Sequence, residues 1–282
     1  MSLPVKKIYI DSTFRTADSL SSSSFKFQLN RNLYFPKNTV FYVEDVCIPN
    51  TWYTVDKDFN DKLYILYDIT NMQVLTLAPN QHTASTLANE INRQITSDGV
   101  VRNNLTCTAD LTFNSIQISN TSGGNNKVFS VFTDHDLENP ANQGLFGADK
   151  PTLNMSSCNQ IINNTTGTSN VYGGGRGTSF DSGFLTLTPS NIYISSPNLG
   201  TFTTLGARGE TNILKKVPVT SSYGYLIVDQ YTSNHDFLDC SEQTINMLEF
   251  NIKDVSGKIL NLHGYNVSFS IVFSTHNEDG TR

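Results

Sequence analysis

The chain has 282 residues, of which 38% are hydrophobic and only 16% charged, and its formal net charge is −6. That is too apolar for a disordered chain, and the acidic balance without a basic face argues against a nucleic-acid-binding domain, which has to neutralise phosphates. The shortfall in charge is made up by Asn, Ser and Thr, while 17 Phe and 12 Tyr beside many β-branched residues suit sheets better than helices.

The length accommodates one large β domain or two smaller ones, with a real core. Cys47, Cys107, Cys158 and Cys240 lie tens of residues apart. They fit neither a zinc ribbon nor a disulfide framework and read as scattered free thiols of a reducing compartment. There is no apolar run of signal-peptide length and no stretch of about 18 apolar residues, so the expectation is a cytosolic product with no membrane-spanning segment. Sequons at Asn104, Asn164 and Asn266 are what a chain this rich in Asn, Ser and Thr produces by chance.

Val5, Ile8 and Ile10 make a short apolar stretch before Asp11-Ser12-Thr13-Phe14-Arg15, and Ser19 to Ser24 read as a polar, flexible loop. Residues 1–24 are therefore expected to form an N-terminal arm. Phe25, Phe27 and Leu29 alternate as a strand, and a longer strand spans Val40 to Ile48, leaving the sheet at Pro49 because proline cannot extend a central strand. Trp52, the lone tryptophan, sits at that exit either as a packing residue or as a ligand-stacking one.

The texture changes from Leu63. Tyr64–Tyr67 and Gln73–Leu77 predict a hairpin. Over Thr83–Ile95, the spacing of Ala84, Leu87, Ala88, Ile91 and Ile95 predicts one amphipathic helix, capped by Thr83 or Ser85 and ended by Gly99. Strand-like segments follow at 105–109, 115–119 and 128–132, so residues 63–150 read as an inserted α+β domain. Residues 151–183 form a connector rich in Gly, Asn, Ser and Thr. Its Gly173-Gly174-Gly175-Arg176-Gly177 run lacks the Gly-Lys-Ser/Thr and the helix that a phosphate loop needs.

Strand signals resume at 192–194, 213–219, 225–228 and 237–238. Leu248, Phe250 and Ile252 then alternate with polar residues, while Ile245 and Met247 fall on the opposite parity, which predicts a bulge near Met247. Asp254-Val255-Ser256-Gly257 is a turn, and Val267, Phe269, Ile271 and Phe273 are the inward face of a last strand. The expectation is an all-β fold with a small α+β insertion. It is a single jelly roll, an eight-stranded two-sheet barrel formed by residues 25–62 and 184–275, with the insert after the second strand and a tail at 276–282. Strand 25–29 is expected beside 267–273, and strand 39–48 beside 245–252.

No chemistry stands out. The five histidines, His82, His135, His235, His263 and His276, are dispersed, and the paired histidines of a metal-dependent cupin are absent. Asp134-His135-Asp136 is a dense cluster, but alternate strand residues point apart. His235-Asp236 reads as a loop. There is no Gly-x-Ser-x-Gly elbow, and nothing selects a carboxylate pair such as Asp229 and Glu242 for glycoside hydrolysis. No catalytic residue, metal or cofactor is expected. Lys6-Lys7 and Lys215-Lys216 read as solvated pairs. Arg15 either pairs locally with Asp11 or reaches a neighbouring subunit through its planar set of donors.

Three segments together resemble the penton, or minor capsid, proteins of virophages and polinton-like viruses. They are Ile10-Asp11-Ser12-Thr13-Phe14-Arg15 with Phe25-Lys26-Phe27-Gln28-Leu29 after a serine loop, Val43 to Tyr53, and Leu248 to Gly257 with Val267 to Phe273 behind it. The segment at Thr83–Ile95 also looks like the inserted domain of these proteins. The resemblance implies a structural virion protein, not an enzyme, made in the host cytoplasm. It implies a homopentamer at each five-fold vertex of an icosahedral capsid, with a double jelly-roll major capsid protein as its other partner. Arg15, Asp11 and Trp52 are then candidate interface residues. The alternative is a jelly-roll carbohydrate-binding or host-attachment module, with Trp52 and exposed tyrosines as platforms for a glycan or host receptor.

Overall fold

The structure is a computed structural model that describes residues 6–57, 60–66, 72–97, 105–112, 115–120, 129–132, 179–183, 189–199, 204–206, 209–233 and 236–275. In chain order the elements are β1 (Lys6–Asp11), a 3-10 turn (Ser12–Phe14), β2 (Ser24–Tyr34), β3 (Thr39–Pro49), β4 (Lys62–Leu66), β5 (Met72–Thr76), α1 (Ala84–Ser97), β6 (Leu105–Asp110), β7 (Ser115–Asn120), β8 (Ser130–Val131) and β9 (Ser179–Gly183). They continue as β10 (Asn191–Ser195), β11 (Ile213–Pro218), β12 (Leu226–Asp229), β13 (Leu238–Asp239), β14 (Thr244–Lys253) and β15 (Ser268–Thr275). The protein is thus mostly antiparallel β-sheet. Two compact units result: Met1–Trp52 with Pro189–Arg282, and Tyr53–Thr188.

The first unit is a two-sheet sandwich. One sheet has the order β1-β15-β3-β12, with β13 also on β3, and the other has the order β11-β10-β14-β2. Period-2 alternation sends Ile10, Phe41, Val43, Phe269, Ile271 and Phe273 inward from the first sheet and Phe25, Ile192, Ile194, Leu248, Phe250 and Ile252 from the second, all into one core. Each fully buried side chain of this size contributes about 1.5–3 kcal/mol. The apolar parity of β3 switches between Val43 and Val46 because Glu44 and Asp45 together oppose Ser270 in a bulge. The bulge expected near Met247 is present too, as a register shift between Ile245 and Met247 where β14 meets β2.

Three expectations need correction. Residues 6–11 are not part of an arm: β1 pairs along its whole length with β15, from Lys6 opposite Phe273 to Asp11 opposite Ser268. Because β1 is the first strand, the second unit departs after the third strand, β3, and not after the second. The neighbours are also exchanged, since β2 pairs with β14 and β3 with β15. The principle that the first strand lies beside the last holds, with β1 as the first. β1 escapes sequence detection because it is an edge strand that buries Ile10 fully and Ile8 in part, while Lys6, Lys7 and Tyr9 face water.

In the second unit β5-β4-β8 and β6-β7-β9 form two three-stranded sheets. Helix α1 starts one residue later than expected, with Thr83 as its cap: the Thr86 amide donates to Thr83 Oγ1 (3.3 Å) and the Thr83 amide to Thr86 Oγ1 (2.8 Å), a reciprocal capping box. Its face of Ala84, Leu87, Ala88, Ile91 and Ile95 is buried with Leu63, Ile65, Leu75, Cys107, Ile116 and Ile118. Glu90 is also buried there, 9% exposed. It accepts hydrogen bonds from the Ala78 amide (2.9 Å), Arg93 (2.8 Å twice) and Gln94 (2.9 Å), which hold its carboxyl down at about 2, the Arg93 guanidinium first among them. The expected cap Gly99 and the Gly173–Gly177 run lie outside the described residues.

Candidate functional site

The segment Asp11–Arg15 is a turn locked against the beginning of β15. Asp11 ends β1 and accepts the Thr13 amide on Oδ1 (2.8 Å), so its carboxylate caps the 3-10 turn and forms no ion pair with Arg15. The local pairing considered for these two residues is therefore absent. Arg15 is exposed, and its Nη1 donates to Ser12 O (2.9 Å) and to Asn266 Oδ1 (3.3 Å). Ser12, fully buried, binds both ways to the last strand's entry: its amide donates to Val267 O (2.9 Å), and its hydroxyl donates to Asn266 Oδ1 (3.1 Å) and accepts from the Val267 amide (3.0 Å). Ser12, named above only as part of its segment, and Asn266, named only as a chance sequon, were assigned no role by the sequence. The only signal for Asn266 was its place directly before the last strand.

The serine segment behind this turn is tied rather than loose. Ser22, Ser23 and Ser24 are buried, the Thr16 amide donates to Lys26 O (2.9 Å), and Ser19 Oγ accepts the Lys26 amide (2.9 Å). Lys26 Nζ reaches Asp18 at 2.7 Å, and that hydrogen bond holds the Asp18 carboxyl at about 2. Phe14 and Leu20 are left exposed on this surface.

Trp52 is 5% exposed and belongs to the sandwich core. Its ring is not available to a second subunit or to a sugar, which corrects its assignment as an interface residue and leaves the packing role.

The outer face of the first sheet carries one ion pair, and a second links the two sheets at the β11–β12 edge. Lys7 donates to Glu44, which also accepts from Ser270 Oγ (3.3 Å), and Lys7 holds the Glu44 carboxyl below its usual range. Lys215 is not solvated as expected: its side chain is 9% exposed, and Nζ meets Asp229 (3.3 Å), Tyr231 O (2.8 Å) and Val43 O (3.2 Å). It ties β11 to the β12 edge.

The remaining candidates gather into no site. Asp229 is engaged by Lys215, and Glu242, at φ 60, lies 3.8 Å from Lys37, so each carboxylate has its own lysine partner. His82 is buried against Ala78 O (3.1 Å), and His263 Nδ1 lies 2.7 Å from Thr51 O. Asp134, His135, Asp136, His235, His276 and Cys158 lie outside the described residues. Among the described residues no three His, Cys, Asp or Glu side chains are grouped to hold a metal ion, and no helix is long and apolar enough to cross a membrane.

No family model matches the chain, and no curated protein matches it. Among solved structures its fold is similar to that of the penton protein of mavirus, a virophage, seen in a crystal structure of the selenomethionine-labelled protein. The TM-score is 0.52 at 11% identity, and the superposition covers 96% of this chain and 100% of that one. The likeness therefore runs through both units rather than through the sandwich alone.

Proposed function

We propose that this protein is a penton subunit, a structural virion protein whose homopentamers close the five-fold vertices of an icosahedral capsid. The observation that carries this reading is the fold likeness to the mavirus penton protein over nearly the whole length of both chains. A jelly roll with an additional domain in one loop is a common design, but agreement that extends through the second unit is more specific than a shared sandwich.

The strand orders support the finer assignment. β1-β15-β3-β12 and β11-β10-β14-β2 interleave early and late strands in the manner of an eight-stranded jelly roll, and the additional unit occupies the connection between its third and fourth strands in chain order, β3 and β10. A ring of such subunits needs a side-to-side, heterologous interface, and the sandwich has two unlike lateral edges to supply it. Arg15 and Asp11 lie in a rigid turn at the end of the β1 edge, where Arg15 is exposed with donor capacity to spare. The double jelly-roll major capsid protein is the second partner in this reading.

The test is the mass of the purified protein by light scattering across a concentration series, alone and with the major capsid protein. A closed ring of five, or a monomer converted into one, is the expected result. A stable trimer, or a monomer indifferent to both variables, overturns the reading. The glycan-binding alternative has lost its strongest residue with Trp52 in the core.

A further inference from the structure

The two lateral edges of the sandwich differ in chemistry. At one, β1 and β2 flank a seam lined by Lys6, Ile8, Leu29, Arg31 and Leu33. Lys6 and Arg31 make no ion pair among the described residues. At the other, β12 ends the sheet with Leu226 and Val228 pointing outward, 58% and 56% exposed, and Tyr223, Tyr225 and Tyr231 are exposed beside them. Scattered exposed apolar residues are ordinary, but five between positions 223 and 231, two on the edge strand and three in its flanks, are not. Free edges are usually guarded by lysine or by a covering segment. Lys6 and Lys7 guard β1 in this way, whereas the outward positions of β12 hold Leu and Val.

We propose that the β12 edge docks on the β1 edge of a second copy of this chain, with Leu226 and Val228 packing against Tyr9. Two features select a second copy as the occupant. Every step in the order β1-β15-β3-β12 is antiparallel, so β1 and β12 run in opposite directions at the two ends of one sheet. A neighbour placed side by side then presents its β1 antiparallel to β12. The edges are also complementary in sign: the β12 side carries Asp229, Asp236 and Asp239 against Lys215 and Lys216, and the β1 side presents the cations Lys6 and Arg31. Contact of one edge with the other edge of the next copy is heterologous, which is the arrangement that builds rings. This surface assignment rests on the ring proposed above.

The test uses two full-length variants, Val228→Asp and Tyr9→Asp, both at exposed positions, with unchanged circular dichroism as the folding control. Self-association is read by light scattering for wild type, for each variant and for their equal mixture. Each variant alone is expected to associate at least about tenfold more weakly than wild type. Their mixture is expected to give one-to-one heterodimers and nothing larger, because Tyr9→Asp retains a sound β12 edge and Val228→Asp a sound β1 edge. Variants that associate like wild type, a mixture that stays monomeric, or a wild type that is monomeric at every concentration overturn the proposal. Five-membered rings from both variants reject this surface and leave the penton reading standing. Open chains of wild type with the expected variant pattern support the surface and reject the ring.

Discussion

Phe250 on β14 and Phe269 on β15 meet edge to face across the two sheets, with ring centroids 4.9 Å apart and planes at 87°. Phe250 also contacts Phe25 beside it in its own sheet, at 5.5 Å. Both rings are buried, so truncating either to alanine removes a large transfer contribution and leaves a cavity. Phe250→Ala and Phe269→Ala are each expected to lower stability by about 3–5 kcal/mol. The double variant should fall short of the sum by about 0.5–1.5 kcal/mol for the lost aromatic pair. Urea unfolding of the four proteins in a double-mutant cycle measures both.

Ser12→Ala strips the buried hydroxyl that serves the Val267 amide and Asn266 Oδ1. Leaving a buried donor unsatisfied costs about 1–3 kcal/mol. Arg15→Ala removes only exposed contacts and is expected to cost less than about 1 kcal/mol. Chemical denaturation ranks the two; a loss at Arg15 as large as that at Ser12 would show that Arg15 fastens the turn as firmly as the buried hydroxyl.

Glu90 provides a pH signature for the second unit. Its carboxyl is held at about 2 in the folded protein, well under the usual carboxylate range, so the charged form binds its partners more tightly than the protonated one. The stabilisation is complete above the unfolded value and is lost as pH falls through about 2. Glu90→Gln is expected to destabilise the protein by about 1–3 kcal/mol at neutral pH and to narrow its gap to wild type as the solution is acidified. Thermal melts of both proteins between neutral and strongly acid pH read the convergence.

Burial pushes the Cys107 and Cys240 thiols up to about 12, which leaves almost no thiolate at neutral pH. Neither should be alkylated in the native protein, and both should react on unfolding. Cys47 is half-buried and also raised, and is expected to react more readily than these two. Mass spectrometry of the alkylated peptides reports each position separately.

Much of the fold was legible because alternation is a local property. The β14 bulge could be read from the parity of Ile245 and Met247, and the Asp254–Gly257 turn shows the expected chemistry, with Gly257 at φ 81 and Asp254 accepting from the Ser256 amide. Strand partnership was not local, and a single edge strand overlooked at Lys6–Asp11 displaced every pairing by one place. The turn's partners were illegible for a similar reason: Ser12 and Asn266 are 254 positions apart, and nothing near either announces the other. Lys215 looked solvated because a sequence cannot show that Asp229 and two carbonyls close over it.

The pairing of β1 with β15 also sets a timetable for biosynthesis. Lys6 finds its partner only at Phe273, so the sandwich cannot close until the segment through β15 has left the ribosome. Residues 53–188 form a compact unit contiguous in sequence, and that unit can be complete while β1, β2 and β3 still wait for their neighbours. During that interval the strands Ser24–Tyr34 and Thr39–Pro49 are without their sheet partners, all of which lie beyond residue 225. The length of that interval is set by the time taken to synthesise residues 189–275, which carry every partner those strands have.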